Sequence, residues 1–158
     1  MSRPLFIFDL DGTLALTEHR QHHLAGEKKD WRAFFADCVH DRPALAVVRT
    51  LQLLQAAGAE VWIWSGRSDE VRAETIAWLR AHDVADLRLS GIQGHAFGFR
   101  MRAAEDRRPD HELKTEWLGE VEPSDRDRLV AIFDDRDSVV AAWRAAGVPC
   151  FQVAPGAF

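Results

Sequence analysis

Cysteine, lysine and long apolar runs are all scarce in this 158-residue sequence. The two cysteines, Cys38 and Cys150, show no metal-knuckle spacing and cannot build a disulfide framework, so a reducing cytoplasm is the simplest compartment. No apolar run approaches the ~20 residues of a membrane span. The Met-Ser-Arg-Pro start leads into an apolar run, Leu5 to Phe8, that is too short for a signal-peptide core. Lysine occurs only as Lys28, Lys29 and Lys114. A net charge of −5 argues against a long basic nucleic-acid groove but says nothing against a small local phosphate site. Repeats, low-complexity tracts and Gly/Ser/Pro-rich linkers are absent as well. What remains is 47% hydrophobic and 28% charged, the composition of one folded domain over residues 1–158.

Short apolar runs alternate with longer helical periodicities, which predicts an α/β fold with a mostly parallel sheet. Strands are expected at Leu5 to Phe8, Val61 to Trp64, Leu129 to Phe133 and Cys150 to Val153, with weaker ones at Leu87 to Leu89 and Phe99 to Met101. Asp41 can cap a helix that has Pro43 in its first turn, Leu45, Val48, Leu51 and Leu53 or Leu54 on its inner face, and Gly58 as its stop. Ser68 or Asp69 can cap a second helix, facing inward through Val71, Thr75, Trp78 and Leu79. Asp110 can cap a third, ending near Gly119, and Asp137 a fourth, closed by Gly147. Residues 14–40 fit no such unit and read as a flap over the sheet, too small for a second domain.

The chemistry starts at Asp9-Leu10-Asp11-Gly12-Thr13, two carboxylates directly after a buried strand, with a glycine that permits a tight exit turn. Ligands of open α/β sheets gather outside the carboxyl ends of the strands. Asp134 and Asp135 repeat the placement after the Leu129 run. Oxygen ligands from two strand ends suit Mg²⁺, although an Asp at such a point more often serves a cap or turn. Ser65-Gly66-Arg67 brings a hydroxyl, backbone N–H groups and a guanidinium to another strand end, and Lys114 lies in the helix that begins near Asp110.

In this order the motifs resemble the haloacid dehalogenase-like (HAD) phosphatase superfamily: Asp9 to Ala15, then Ser65, Lys114 and Asp134-Asp135. The chain is similar over nearly its whole length to the 3′-phosphatase domain of phage-type polynucleotide kinase-phosphatases. That likeness adds Ile132 to Arg136, Val139-Val140, Trp143-Arg144, Gly147-Val148, the run from Cys150 to Phe158, Arg20, Arg67 and the Asp110-to-Lys114 spacing. No Gly-x-x-x-x-Gly-Lys-[Ser/Thr] loop accompanies it, so the kinase half is missing, which leaves room for a separate kinase partner.

The resemblance implies a Rossmannoid three-layer sandwich with helices on both faces, a small flap and two-step phosphoryl transfer assisted by Mg²⁺. Asp9 is then the nucleophile and forms an aspartyl-phosphate. Asp11 is the general acid and then base, with a pKa expected nearer neutrality than that of Asp9. Lys114 and Arg67 offset the substrate's negative charge. Thr13, Arg20, Ser65, Gly66, Arg67 and Asp110 surround the phosphate or substrate. The metal falls to Asp9, the Asp11 carbonyl and Asp135, with Asp134 orienting its neighbour or the lysine; spacing alone does not choose between Asp134 and Asp135.

The substrate expected is a phosphorylated nucleic-acid 3′ end, with a nucleotide or other small phosphate ester as the alternative and a non-catalytic binding module as the third reading. Arg100, Arg102, Arg107 and Arg108 could hold a phosphodiester backbone or simply form surface ion pairs with the interleaved acids. His19, His22 and His23 read as polar flap residues, with His19 near the substrate. Trp62, Trp64, Trp78 and Trp143 read as core. Trp31, Phe34 and Phe35 are the aromatic group outside the core pattern, either packed under the flap or lining the substrate entrance. Cys38 reads as structural.

Overall fold

The computed structural model describes residues 2–84 and 98–157. In chain order the elements are β1 (Leu5–Phe8), β2 (Ala15–Leu16), α1 (Trp31–Ala36), β3 (Arg42–Pro43), α2 (Leu45–Ala56), β4 (Glu60–Ser68), α3 (Arg72–Ala81), β5 (Phe99–Arg102), α4 (Asp110–Gly119), α5 (Pro123–Arg126), β6 (Leu129–Asp134), α6 (Asp137–Ala145) and β7 (Cys150–Gln152), with 3₁₀ turns at Glu18–Leu24, Asp37–His40 and Asp69–Val71. The expected strand at Leu87 to Leu89 lies outside the described residues.

Five strands form one parallel sheet in the order β5-β4-β1-β6-β7. β1 lies at its centre and is apolar on both faces, as a strand between two helical layers must be. One face packs Phe8, Val61 and Ile63 against Val48 and Leu51 of α2 and Trp78 and Leu79 of α3. The other packs Leu5, Ile7, Trp62, Trp64 and Ile132 against Leu113 and Trp117 of α4 and Val140 and Trp143 of α6. The four tryptophans expected in the core are all buried there. Large-to-small changes at such sites cost about 3–5 kcal/mol. The chain is thus the three-layer α/β sandwich expected. Because all five strands run the same way, their carboxyl ends share one rim.

Three helix caps differ from expectation for one reason. Asp41, Asp110 and Asp137 were expected to cap helices, but each carboxylate faces another group. Asp41 binds two buried guanidinium groups, so α2 starts later, at Leu45, and Arg42–Pro43 pairs instead with Ala15–Leu16. Asp110 binds Arg102 and Arg136, and Asp137 accepts from Gln152. Leu45 and Leu53 lie on the exposed side of α2, and Leu54 packs against the core. β4 also runs beyond Trp64 to Ser68, because Ser65 and Ser68 pair with β5 across a bulge.

Candidate active site

Asp9 follows β1 at the rim, where its backbone N–H donates to the Phe133 carbonyl at 2.9 Å. Behind it the Leu10 carbonyl accepts from Thr13, Leu14 and Ala15, closing the turn that Gly12 completes at φ +85. That turn carries the buried Thr13 hydroxyl to 3.5 Å from Asp135. Gly12 also lies against the Asp135 carboxylate so closely that a Cβ would overlap it. On the other side of Asp135, Gly156 lies against its backbone carbonyl with the same lack of space. Gln152 donates to that carbonyl at 2.8 Å.

Carboxylate oxygens of Asp9, Asp134 and Asp135 lie within 4.8 Å of one another, all three side chains buried. Lys114 reaches up from α4 between two of them, 2.7 Å from Asp9 and 2.8 Å from Asp134. Asp134 also accepts from the backbone N–H groups of Asp135 and Arg136 and from the Trp143 indole. Its lone pairs are therefore engaged, whereas the Asp135 carboxylate accepts only the long bond from Thr13 among the described residues. Burial pushes the Asp9 carboxyl well up, an effect that Lys114 opposes and Asp134 and Asp135 reinforce. Burial and then the Asp134 charge raise Asp135 to about 6. Burial disfavours the Lys114 ammonium, but Asp134 and Asp9 outweigh it and keep the lysine charged. Three buried carboxylates against one ammonium leave an excess of negative charge, and the oxygen-only donor set fits a hard divalent cation.

Asp11 lies apart from this cluster. Its carboxylate receives Arg20 at 2.7 Å and a short two-pronged contact from Arg67. Both arginines are fully buried and share a second acid, Asp41, at 2.8–2.9 Å. Arg67 reaches Thr75 at 3.1 Å, and Arg20 reaches the Phe34 carbonyl at 3.2 Å and lies over the Phe34 ring. Burial alone would raise Asp11, but the charges of Arg67 and Arg20 outweigh it and hold the carboxyl at about 2. The expectation that Asp11 lies nearer neutrality than Asp9 is therefore reversed in this arrangement, because two buried guanidinium groups stabilise its anion.

Ser65 is buried, and its hydroxyl accepts from the Arg67 backbone N–H at 3.1 Å. Gly66 lies against the Asp110 carboxylate with no room for a side chain. Asp110 ties β5, α4 and the β6–α6 turn together through Arg102 and, at 2.8 Å, Arg136. The arginine group of the sequence thus divides. Arg102 supports the site, donating to the Gly66 carbonyl at 2.9 Å. Arg100 pairs with Glu120 and Arg108 with Asp106 and Glu116, while Arg107 is exposed. His19 comes to 3.7 Å from Asp41 at the edge of the guanidinium network. Sequence reasoning missed Asp41, Thr75, Arg102 and Arg136 as parts of this site. Asp41 carried a signal, an acid just ahead of an amphipathic helix, that reads equally well as a cap.

The family model of the polynucleotide kinase PNKP phosphatase domain matches residues 4–158. Comparison with curated proteins gives no match. Among solved structures, a chain of the Pnkp1/Rnl/Hen1 RNA repair complex is 28% identical, with a TM-score of 0.76 over 100% of this chain and 45% of that one. A chain of a second Pnkp1/Rnl/Hen1 complex is 29% identical, with a TM-score of 0.73 over 100% and 48%. The present chain thus spans less than half the length of these relatives. The class C acid phosphatase from Bacillus anthracis shares the fold, at 15% identity and a TM-score of 0.63 over 98% of this chain and 67% of that one. A match extending from the first strand to the last residue places the chain in the polynucleotide kinase PNKP phosphatase-domain family, within the HAD-like superfamily, and so among the phosphoric monoester hydrolases.

Proposed function

We propose that this chain is a Mg²⁺-dependent polynucleotide 3′-phosphatase that acts through an aspartyl-phosphate. The observation that carries the reading is the pairing of Asp9 with Lys114 at one strand end, beside Asp134 and Asp135, with Asp11 bound by two buried arginines. The relatives in an RNA repair complex favour a polynucleotide over a small substrate. We read residues 1–158 as one domain whose residues 14–40 form a small flap. Two free buried thiols favour the cytoplasm. Among the described residues no helix is long and apolar enough to cross a membrane.

Asp9 and Asp135 would hold the metal, with the Asp11 carbonyl as a third oxygen, because the Asp134 carboxylate is already engaged by Lys114 and its neighbours. The bound ion would supply positive charge against the substrate phosphate. An Asp9 oxygen bonds to phosphorus as the bond to the leaving 3′-oxygen breaks. Asp11 gives that oxygen its proton. It then takes one from the water that attacks phosphorus, as the Asp9–phosphorus bond breaks and inorganic phosphate leaves. For this cycle the incoming phosphate must draw Arg20 and Arg67 from Asp11, since paired with both it holds no proton near neutrality. Ser65, Thr13 and the backbone at Gly66 would hold the non-transferred oxygens, with Lys114 neutralising charge on Asp9.

The test compares hydrolysis of 3′-phosphorylated oligonucleotides, 5′-phosphorylated oligonucleotides and free mononucleotides with Mg²⁺. Preference for the 3′-phosphorylated ends supports the reading; preference for mononucleotides replaces it with a nucleotide phosphatase.

A further inference from the structure

The flap carries both lysines that the active site does not use. Lys28 and Lys29 precede the capping residue of α1, and Trp31 and Arg32 follow it within one turn. All four side chains are exposed, Trp31 at 44%, whereas the other tryptophans are almost entirely buried. No ion pair holds Lys28, Lys29 or Arg32 among the described residues, in contrast to Arg100, Arg102 and Arg108, which are each matched to an acid. The Lys29 ammonium lies 5.9 Å from the Trp31 ring centroid, so cation and ring are presented together.

The strip is mechanically tied to the reaction centre. Trp31 packs edge-on against Phe34 at 5.8 Å and in a tilted arrangement against Phe35 at 5.9 Å. The Phe34 ring in turn lies 4.2 Å beneath the Arg20 guanidinium, which binds Asp11. Two side-chain contacts therefore separate Trp31 from an arginine at the carboxylates, a span that the last few nucleotides of a strand could bridge. An exposed ring flanked by free cations is the composition that binds single strands: bases stack on the ring and phosphates meet the charges. Here the stretch from Glu27 to Arg32 holds three cations against two acids, and one of those acids, Asp30, is taken up in capping α1.

We propose that Trp31, with Lys28, Lys29 and Arg32, forms a landing strip on the flap for the single-stranded body of the substrate, Trp31 stacking a base upstream of the end being dephosphorylated. The inference rests on the polynucleotide reading above and adds the surface that engages the strand.

The experiment measures the affinity of the full chain for fluorescein-labelled single-stranded hexanucleotides with free 3′-hydroxyls, one deoxyribo and one ribo, by fluorescence anisotropy. Trp31→Ala is expected to weaken binding about tenfold, and Trp31→Phe to retain most of it. Lys28→Ala with Lys29→Ala should flatten the slope of log affinity against log salt by about 1.4, since each phosphate contact to a single strand contributes about 0.7. The ratio of kcat/KM for a 3′-phosphorylated hexanucleotide to that for p-nitrophenyl phosphate should fall in Trp31→Ala. Unchanged affinity in Trp31→Ala, or an unchanged salt slope in the double variant, overturns the inference while wild-type hydrolysis of 3′-phosphorylated ends stands. Failure of the 3′-phosphatase reading shows separately, as absence of that hydrolysis in the wild type.

Discussion

Arg20 and Asp41 form a two-pronged ion pair with both contacts at 2.8 Å and both side chains wholly buried. Asp41 also holds Arg67, so one buried acid sets the positions of both cations that bind Asp11. Removing one partner of a buried pair costs about 3–5 kcal/mol because the other charge is stranded. Asp41→Ala should therefore lower stability by roughly that amount in urea titrations, with a large loss of turnover. Asp41→Asn should unfold at higher urea than the alanine variant and still be impaired in kcat. Normal turnover in Asp41→Asn would show that the arginines keep their places without it.

Asp9→Asn should stay folded by near-ultraviolet circular dichroism yet lose activity on the order of 10⁴-fold or more, as nucleophile removal does elsewhere. Retention of most turnover would remove the covalent step.

Mg²⁺ should raise Tm in a concentration-dependent way, equivalent to about 2.7 kcal/mol at a hundredfold excess over its Kd, and EDTA should abolish activity. Asp135→Asn should erase the Mg²⁺-dependent rise in Tm. Asp134→Asn should reduce it less, because the engaged oxygens of Asp134 mainly hold Lys114. Equal loss in both variants would make Asp134 a direct ligand.

Glu60, at the start of β4, accepts from Arg128 at 2.8 Å and from the Trp62 indole at 2.8 Å. Burial favours its neutral form, but these bonds outweigh burial and lower its pKa. A folded pKa below the unfolded one contributes stability at neutral pH, and that contribution disappears as pH falls through the folded value. Tm should drop below pH ~4 and do so less steeply in Glu60→Gln. An identical acid limb in the variant would assign the drop to other carboxylates.

Neither thiol should react with Ellman's reagent at pH 8 in the folded protein. Cys38 is wholly buried and raised by burial, and Cys150 is pushed up to about 12 by burial and the Asp134 charge. Release of either thiol at native conditions would point to opening of its element.

The strand ends and their carboxylates were legible in the sequence because both signals are local: an apolar run reads as a buried strand, and an acid directly after it must lie at the rim. Asp9, Asp11, Asp134 and Asp135 all followed from this. Where Asp41, Asp110 and Asp137 point was not legible. A carboxylate before a helix can serve the backbone N–H groups of its own turn or a guanidinium from elsewhere, and only tertiary packing decides. Ser68 and Asp30, whose side chains accept from the Glu70 and Ala33 backbone N–H groups, do cap their turns. The protonation of Asp11 was hidden for the same reason, since Arg20 and Arg67 approach it from 9 and 56 residues away.

Asp135 is bracketed by two positions that carry no side chain, Gly12 beside its carboxylate and Gly156 beside its carbonyl. A single added methyl at either place would meet the carboxylate oxygens of Asp135 or the peptide that carries them. The catalyst is thus defined by two hydrogens as firmly as by its charged groups. Inactivating lesions should arise there without altering any residue that takes part in the chemistry.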